Sequence, residues 1–223
     1  MTMDNINVNN EASLTGKVEG ELKFSHEIYG ETFYSFVLKV MRLSDISDFI
    51  NITVSERLIS NLDLSEGASV SVTGQFRSYN NYSETGNRLI LTVFARDIHQ
   101  ADEFEYESGA INPNSIFLNG FLCKPPVYRT TPFGREITDL LIAVNRAYNK
   151  SDYIPCIAWG RNARYSSGLS VGDNIKIWGR IQSREYQKRL SEEESITKTA
   201  YEISISKMEV TGLDTQTSDA EII

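Results

Sequence analysis

The amino-acid sequence predicts an all-β protein with short helices, built as two tandem five-stranded barrels. Two observations lead to this reading: an internal repeat near 104 residues, and glycines at turn-like places with strand-like runs between them. A third is a helical or turn segment after the third run of each copy. Sliding the 223-residue chain by 104 residues superposes "LTG" (14–16) on "LNG" (118–120), and Gly30 on Gly134. Val40, Arg42, Ser47, Asp48, Ile50 and Arg57 then fall on Val144, Arg146, Ser151, Asp152, Ile154 and Arg161. One inserted residue later, Leu64, Gly67, Gly74 and Ser78 match Leu169, Gly172, Gly179 and Ser183. Spaced identities of this kind mark duplication of a folded unit.

The strands are clearest in the second copy. The first spans 116–123, and the second spans 135–146, after the turn "TPFG". The third is "YIPCIAWG" (153–160), the fourth "NIKIWGRIQS" (174–183) and the fifth "TAYEISISKME" (199–209). Alternation supports them: Ile175 and Ile177 point one way, Lys176 and Trp178 the other. Between the third and fourth lies "RNARYSSGLSVGD", a short helix or turn; its counterpart "SERLISNLDLSEG" reads as the more clearly helical of the two. Five strands with one helix after the third is the OB-fold pattern, and the helix position argues against another small β barrel or a sandwich. The domains are read as 8–102, a linker at 103–113, 114–210, and a short acidic tail at 211–223.

Charge divides unevenly. The chain carries −8 overall with a pI near 4.9, yet the second copy is net basic and the first net acidic. Overall pI is a poor guide to nucleic-acid binding when one domain carries the contacts. Forty per cent hydrophobic residues suffice for a core. No run approaches the roughly 18 apolar residues of a membrane span. The start "MTMDNINVNNEA" has neither the basic nor the apolar part of a signal peptide. Two cysteines, Cys123 and Cys156, suit a reducing cytosol, so a cytoplasmic protein is expected. Enzyme signatures are missing: there is no HExxH, GxxxxGK[ST], GxGxxG or paired CxxC, and His26 and His99 read as surface residues. The expectation is a non-catalytic protein with no metal and no cofactor.

"NSIFLNGFLCKPPVYRTTPFGREITDLLIAVNRAYNKSDYIPCIAWGRNAR" followed by "LSVGDNIKIWGRIQSREYQKR" resembles the bacterial single-stranded DNA-binding proteins. The resemblance spans about the whole second copy, with order and spacing agreeing across its five strands. The first copy keeps the outline, in "SFVLKVMR" and "VTGQFRSYN", but fewer functional positions. The resemblance implies that Tyr148, Trp159 and Tyr186 stack on bases, with Phe133 in the first hairpin turn as a fourth ring. Arg129, Arg161, Arg180 and Arg184 lie in or beside these segments as phosphate contacts, and Lys188 joins them from the following loop "KRLSEEES". The physics agrees: sequence-tolerant binders of single strands combine aromatic platforms with basic tracks.

Trp159 is assigned to the face of Tyr153, Pro155 and Ile157, while Ile154, Cys156 and Ala158 form the apolar opposite face. Trp178 either joins the site or covers the outside of the barrel. Tyr201 and Phe121 are read as packing residues. Arg180, Gln182, Arg184 and Tyr186 are expected on one face of the fourth strand. In the first copy Ser44 and Ser55 replace Tyr148 and Trp159, so this copy is expected to assist, dimerise or recruit, although Tyr29, Arg57, Arg77, Tyr79 and Tyr82 persist.

The function these features imply is non-catalytic binding of single-stranded DNA, coating and protecting it in replication, recombination or repair. The alternative is a replication or plasmid-maintenance accessory acting through protein contacts; RNA binding comes third. Family members with one barrel form tetramers, so two barrels suggest a homodimer, with a monomer as the alternative. The tail "TGLDTQTSDAEII" is a diluted form of the family's acidic tip, a weak basis for recruiting replication or repair proteins.

Overall fold

The computed structural model describes residues 8–42, 44, 46–83, 86–102, 112–189 and 195–211, with the backbone alone for 80–83, 86–88, 188–189 and 195–196. The tip of the tail, the acidic stretch 103–111 and the centre of "KRLSEEES" lie outside the described residues. The first copy contributes β1 (Asn10–Ile28), β2 (Glu31–Met41), β3 (Ser47–Ser55), α1 (Glu56–Ile59), β4 (Ser69–Ser83) and β5 (Gly86–Gln100). The second contributes β6 (Asn114–Leu122), β7 (Val127–Thr130), β8 (Glu136–Asn145), β9 (Ser151–Trp159), α2 (Arg161–Ser166), β10 (Asn174–Arg189) and β11 (Ser195–Thr211).

Each copy closes on itself. β1 pairs with β2, β2 with β3, β3 with β5, β5 with β4, and β4 returns to β1. The second ring runs β6, β8, β9, β11, β10 and back to β6. Only the third-to-fifth pairing is parallel in each ring. These are two OB-fold barrels. Closure removes the free edges that an open sheet would present.

Alternation along the strands sends Leu38, Val40, Ile50, Ile52, Val72 and Phe76 into the first barrel, and Leu118, Ile142, Ile154, Ile175, Ile177 and Ile203 into the second. The repeated Gly74 of β4 and Gly179 of β10 sit opposite matching bulges in β5 and β11, where Arg96 and Ser206 are the extra residues. A Cβ at either would collide with the backbone oxygen of Phe94 or Ser204, so close strand approach demands glycine there.

Four expectations need correction. A short strand, β7, precedes β8 and pairs with it from Val127 to Thr130; its four exposed residues lack the alternation that marks a half-buried strand. α2 has six residues and α1 only four, so the first copy is the less helical. β10 and β11 extend well past the expected bounds, so Lys188 lies in a strand rather than a loop. Phe121 is exposed on the outer side of β6, where residues alternate with the buried Leu118 and Leu122.

The barrels are joined by more than the chain. β1 pairs antiparallel with β6 from Asn10–Leu118 to Leu14–Asn114, making one eleven-stranded sheet of both. Where β1 leaves β4 for this pairing, the Asn10 side chain takes over, bonding the carbonyl and amide of Phe76 at 2.8 and 2.9 Å. Asn114 does the same for Ile181 at 2.7 and 2.9 Å. Across the contact, Asp48 accepts from the Ser183 amide at 2.8 Å, and Ser183 Oγ accepts from the Phe49 amide at 2.9 Å. The mirror set pairs Asp152 with the Ser78 amide and Ser78 Oγ with the Tyr153 amide, both at 2.7 Å. The duplicated serines and aspartates therefore hold a pseudo-two-fold joint.

Candidate nucleic-acid interface

Register assembles the outer face of the second barrel. Arg129, Ile137 and Trp159 are successive cross-strand neighbours on β7, β8 and β9. One step along lie Val127, Asp139 and Ile157, and Ile157 neighbours Ser204 of β11, which faces Arg180 of β10. Further along that hairpin come Gln182 opposite Glu202, Arg184 opposite Ala200, and Tyr186 opposite Lys198.

The rings are presented to solvent. Trp159 is 37 % exposed and Tyr186 40 %, while Tyr148 and Phe133 reach 94 % and 92 %. Such exposure of large rings costs stability, because burying a large apolar side chain is worth roughly 1.5–3 kcal/mol. Trp159 ends β9, and its neighbours Ala158 and Cys156 fill the core while Ile157 is buried apart from it. Tyr148 lies in the β8–β9 turn, where it and Asn149 adopt left-handed φ of 59° and 53°. Phe133 lies in the β7–β8 turn. Tyr148 and Phe133 therefore flank β8 at its two ends, about 30 Å apart at ~3.4 Å per residue. The rings make a track along the barrel rather than one pocket.

The expected cations separate into three kinds. Arg161, at the start of α2, and Arg184 are exposed and, among the described residues, have no ion-pair partner. Arg129 is committed to Asp139, its Nε and Nη2 donating to the carboxylate at 2.8 and 3.2 Å; that hydrogen bond raises its pKa further. Arg180 points into the joint between the barrels. Burial and then the nearby Arg42 lower its pKa, and its Nε is buried without a hydrogen-bond partner. The Lys188 side chain lies outside the described residues.

Arg180, Gln182, Arg184 and Tyr186 share one face, but only the outer half of that ribbon is open. Gln182 is buried and donates to Glu202 at 2.6 Å. Trp178 covers the outside of the barrel, its ring tilted against Phe117 at 5.1 Å with the Lys207 ammonium 4.5 Å from its centre. Tyr201 is half-buried against the core. Sequence reasoning passed over Lys198 beside Tyr186 and Ile137 beside Trp159, since only strand register shows that they belong to this face.

Residues 113–211 match the single-strand binding protein family. A single-stranded DNA-binding protein of Staphylococcus aureus is 36% identical over 83 residues, covering 34% of this chain and 50% of that protein. One from Clostridium tetani is 36% identical over 83 residues, with 34% and 57% covered. The chain spans about half the length of the curated relatives it matches. A crystal structure of a deletion variant of the Thermus aquaticus single-stranded DNA binding protein superposes with a TM-score of 0.71 at 18% identity, covering 94% of this chain and 98% of that one. That likeness extends the shared fold over both barrels. The similarity to the single-strand binding protein family is thus carried by the second barrel, over residues 113–211.

Proposed function

We propose that this chain binds single-stranded DNA without catalysing a reaction, and that the second barrel carries most of the affinity. The observation that supports this best is the set of large rings held open to solvent on a net basic barrel. Trp159, Tyr148, Tyr186 and Phe133 are the base platforms, and Arg161 and Arg184 the open phosphate contacts. Each stacked base adds roughly 1–3 kcal/mol, and each phosphate contact adds salt-dependent affinity. The coating role is in replication, recombination or repair, in the cytoplasm. Two such chains forming a homodimer is the proposed assembly, to be checked by solution mass.

Titrating intrinsic Trp fluorescence with oligo-dT tests the reading. Emission from Trp159 should be quenched, affinity should fall as salt rises, and duplex of the same length should bind far more weakly. Equal binding to duplex, or no binding at low salt, overturns this in favour of an accessory protein acting through protein contacts.

A further inference from the structure

The two sides of the pseudo-two-fold joint are not equivalent. On one side Arg42 grips Asp48 with two hydrogen bonds, at 2.7 and 2.5 Å, and Arg180 is the one further cation beside the pair. On the other, Arg146 reaches Asp152 only at 3.4 Å. There, Arg77 and Arg96 of the first barrel meet Arg146 and Lys150 of the second around one cleft of about 570 Å³, with Tyr148 on its wall. Asp152, the carboxylate that serves this side of the joint, leaves four cations facing one anion. Among the described residues Arg77, Arg96 and Lys150 have no ion-pair partner.

Arg77 is held in place. The Arg77 guanidinium lies 4.2 Å from the Phe94 ring centre, and its Nη2 donates to Gln75 at 2.8 Å. Arg77 Nε is buried without a hydrogen-bond partner, and Arg146 Nε and Asp152 Oδ2 face each other at 3.4 Å without closing a hydrogen bond. An Arg77 donor left unpaired costs free energy, so this guanidinium is held against the cleft at a cost. Crowded like charges add to that cost, and an anion in the cleft relieves the crowding. Burial first, then Arg146 and Arg96, lowers the Arg77 pKa, as this crowding requires.

We propose that this cleft is a phosphate cradle through which a single strand, stacked on the second barrel at Tyr148, crosses onto the first. The inference rests on the binding reading above and adds the route. Beyond the cleft, Tyr79 follows Arg77 on the same outward side of β4, half-exposed, and continues the route as a ring.

The test compares oligo-dT of about 8 residues, within reach of one barrel, with one of about 30 that spans both. Arg96→Ser and Lys150→Ser, both at exposed positions, should each weaken the long strand roughly tenfold, the worth of one charge-assisted contact. Each should also reduce the salt slope by about 0.7. Arg96→Ser, on the other barrel, should change short-strand affinity less than twofold. Unchanged long-strand affinity and slope in both variants overturn the cradle, and equal losses at both lengths for Arg96→Ser overturn the crossing. If the wild-type protein binds no DNA, the functional reading fails, and titration with inorganic triphosphate still decides the cleft. Binding that both variants lose upholds an anion cradle; no wild-type binding overturns it.

Discussion

The two barrels follow the same backbone plan and differ most where their third strand meets the helix. In the first, Ser55 is buried, its hydroxyl accepting from the Arg57 amide at 3.3 Å and donating to Glu31 at 2.6 Å. It caps α1. In the second, the position belongs to Trp159, and the capping residue is Gly160 with a φ of 53° and no side-chain bond to the helix. Handing the turn to a glycine leaves the strand's last side chain free to be a large ring held out to solvent. Ser44 is likewise an exposed turn residue where the second barrel holds out Tyr148. The difference shows that holding a large ring out to solvent here depends on local backbone punctuation as well as on the ring itself.

The largest effect that would sharpen this contrast lies in the joint. Asp48→Asn should cost about 3 kcal/mol of unfolding free energy, because it breaks a buried two-bond pair and strands Arg42. Asp152→Asn should cost less, about 1 to 2 kcal/mol, since an amide oxygen still accepts from Ser78 and the Arg146 pair is loose, although the cations there lose their one anion. Denaturant unfolding of both variants measures this, and equal losses would erase the proposed inequality of the two sides.

Next come the matched positions at the helix starts. Trp159→Ala should weaken oligo-dT by about 2 kcal/mol with stability nearly unchanged. Ser55→Ala should cost about 1 kcal/mol of stability through the lost cap, with DNA affinity unchanged. A Ser55 variant that loses DNA affinity would break the division between the barrels. On the β10–β11 hairpin, Tyr186→Ala should lose about 1 to 2 kcal/mol of affinity at constant salt slope. Arg184→Ala should reduce that slope by about 0.7. A wild-type profile for both would reduce the hairpin to a solvated arm.

The smallest effect is a pH dependence confined to one side of the joint. Burial, the leading cause, holds the Asp152 carboxyl above its ordinary range. A carboxyl raised in the folded state favours folding at pH below its unfolded value, about 3.9, and that advantage is lost as pH climbs through the folded value. Relative to wild type, Asp152→Asn should therefore gain a fraction of a kcal/mol between pH 4 and pH 7. Urea titrations at the two pH values measure it; a gain in the opposite direction would show that the Arg146 partnership outweighs burial.

The barrels were legible in the sequence because alternation and repeated turn glycines are local signals. So was the exposure of Trp159, whose neighbours Ala158 and Cys156 are too small for that site to be a core position. What escaped was set by distant partners. Arg180 reads as one more cation of a basic ribbon until the first barrel stands against it, and Arg129 until Asp139 is placed beside it by register. Arg77 and Arg146 lie 69 positions apart in the sequence, and nothing local brings them to one cleft. The repeated Asp48, Asp152, Ser78 and Ser183 were visible as identities, yet only the folded joint shows what they do.

The joint has one further consequence. In an assembly of identical subunits about a two-fold axis, every substitution is made twice, so no residue can be altered on one side alone. Here the two sides are separate stretches of one polypeptide. β4 carries Gln75 and then Arg77, where β10 carries Arg180 and then Gln182, the same two residue types in reversed order. Identical subunits could not contain that reversal. Holding both copies in one chain releases each from the other's requirements, and a surface neutral on one flank can become strongly charged on the other.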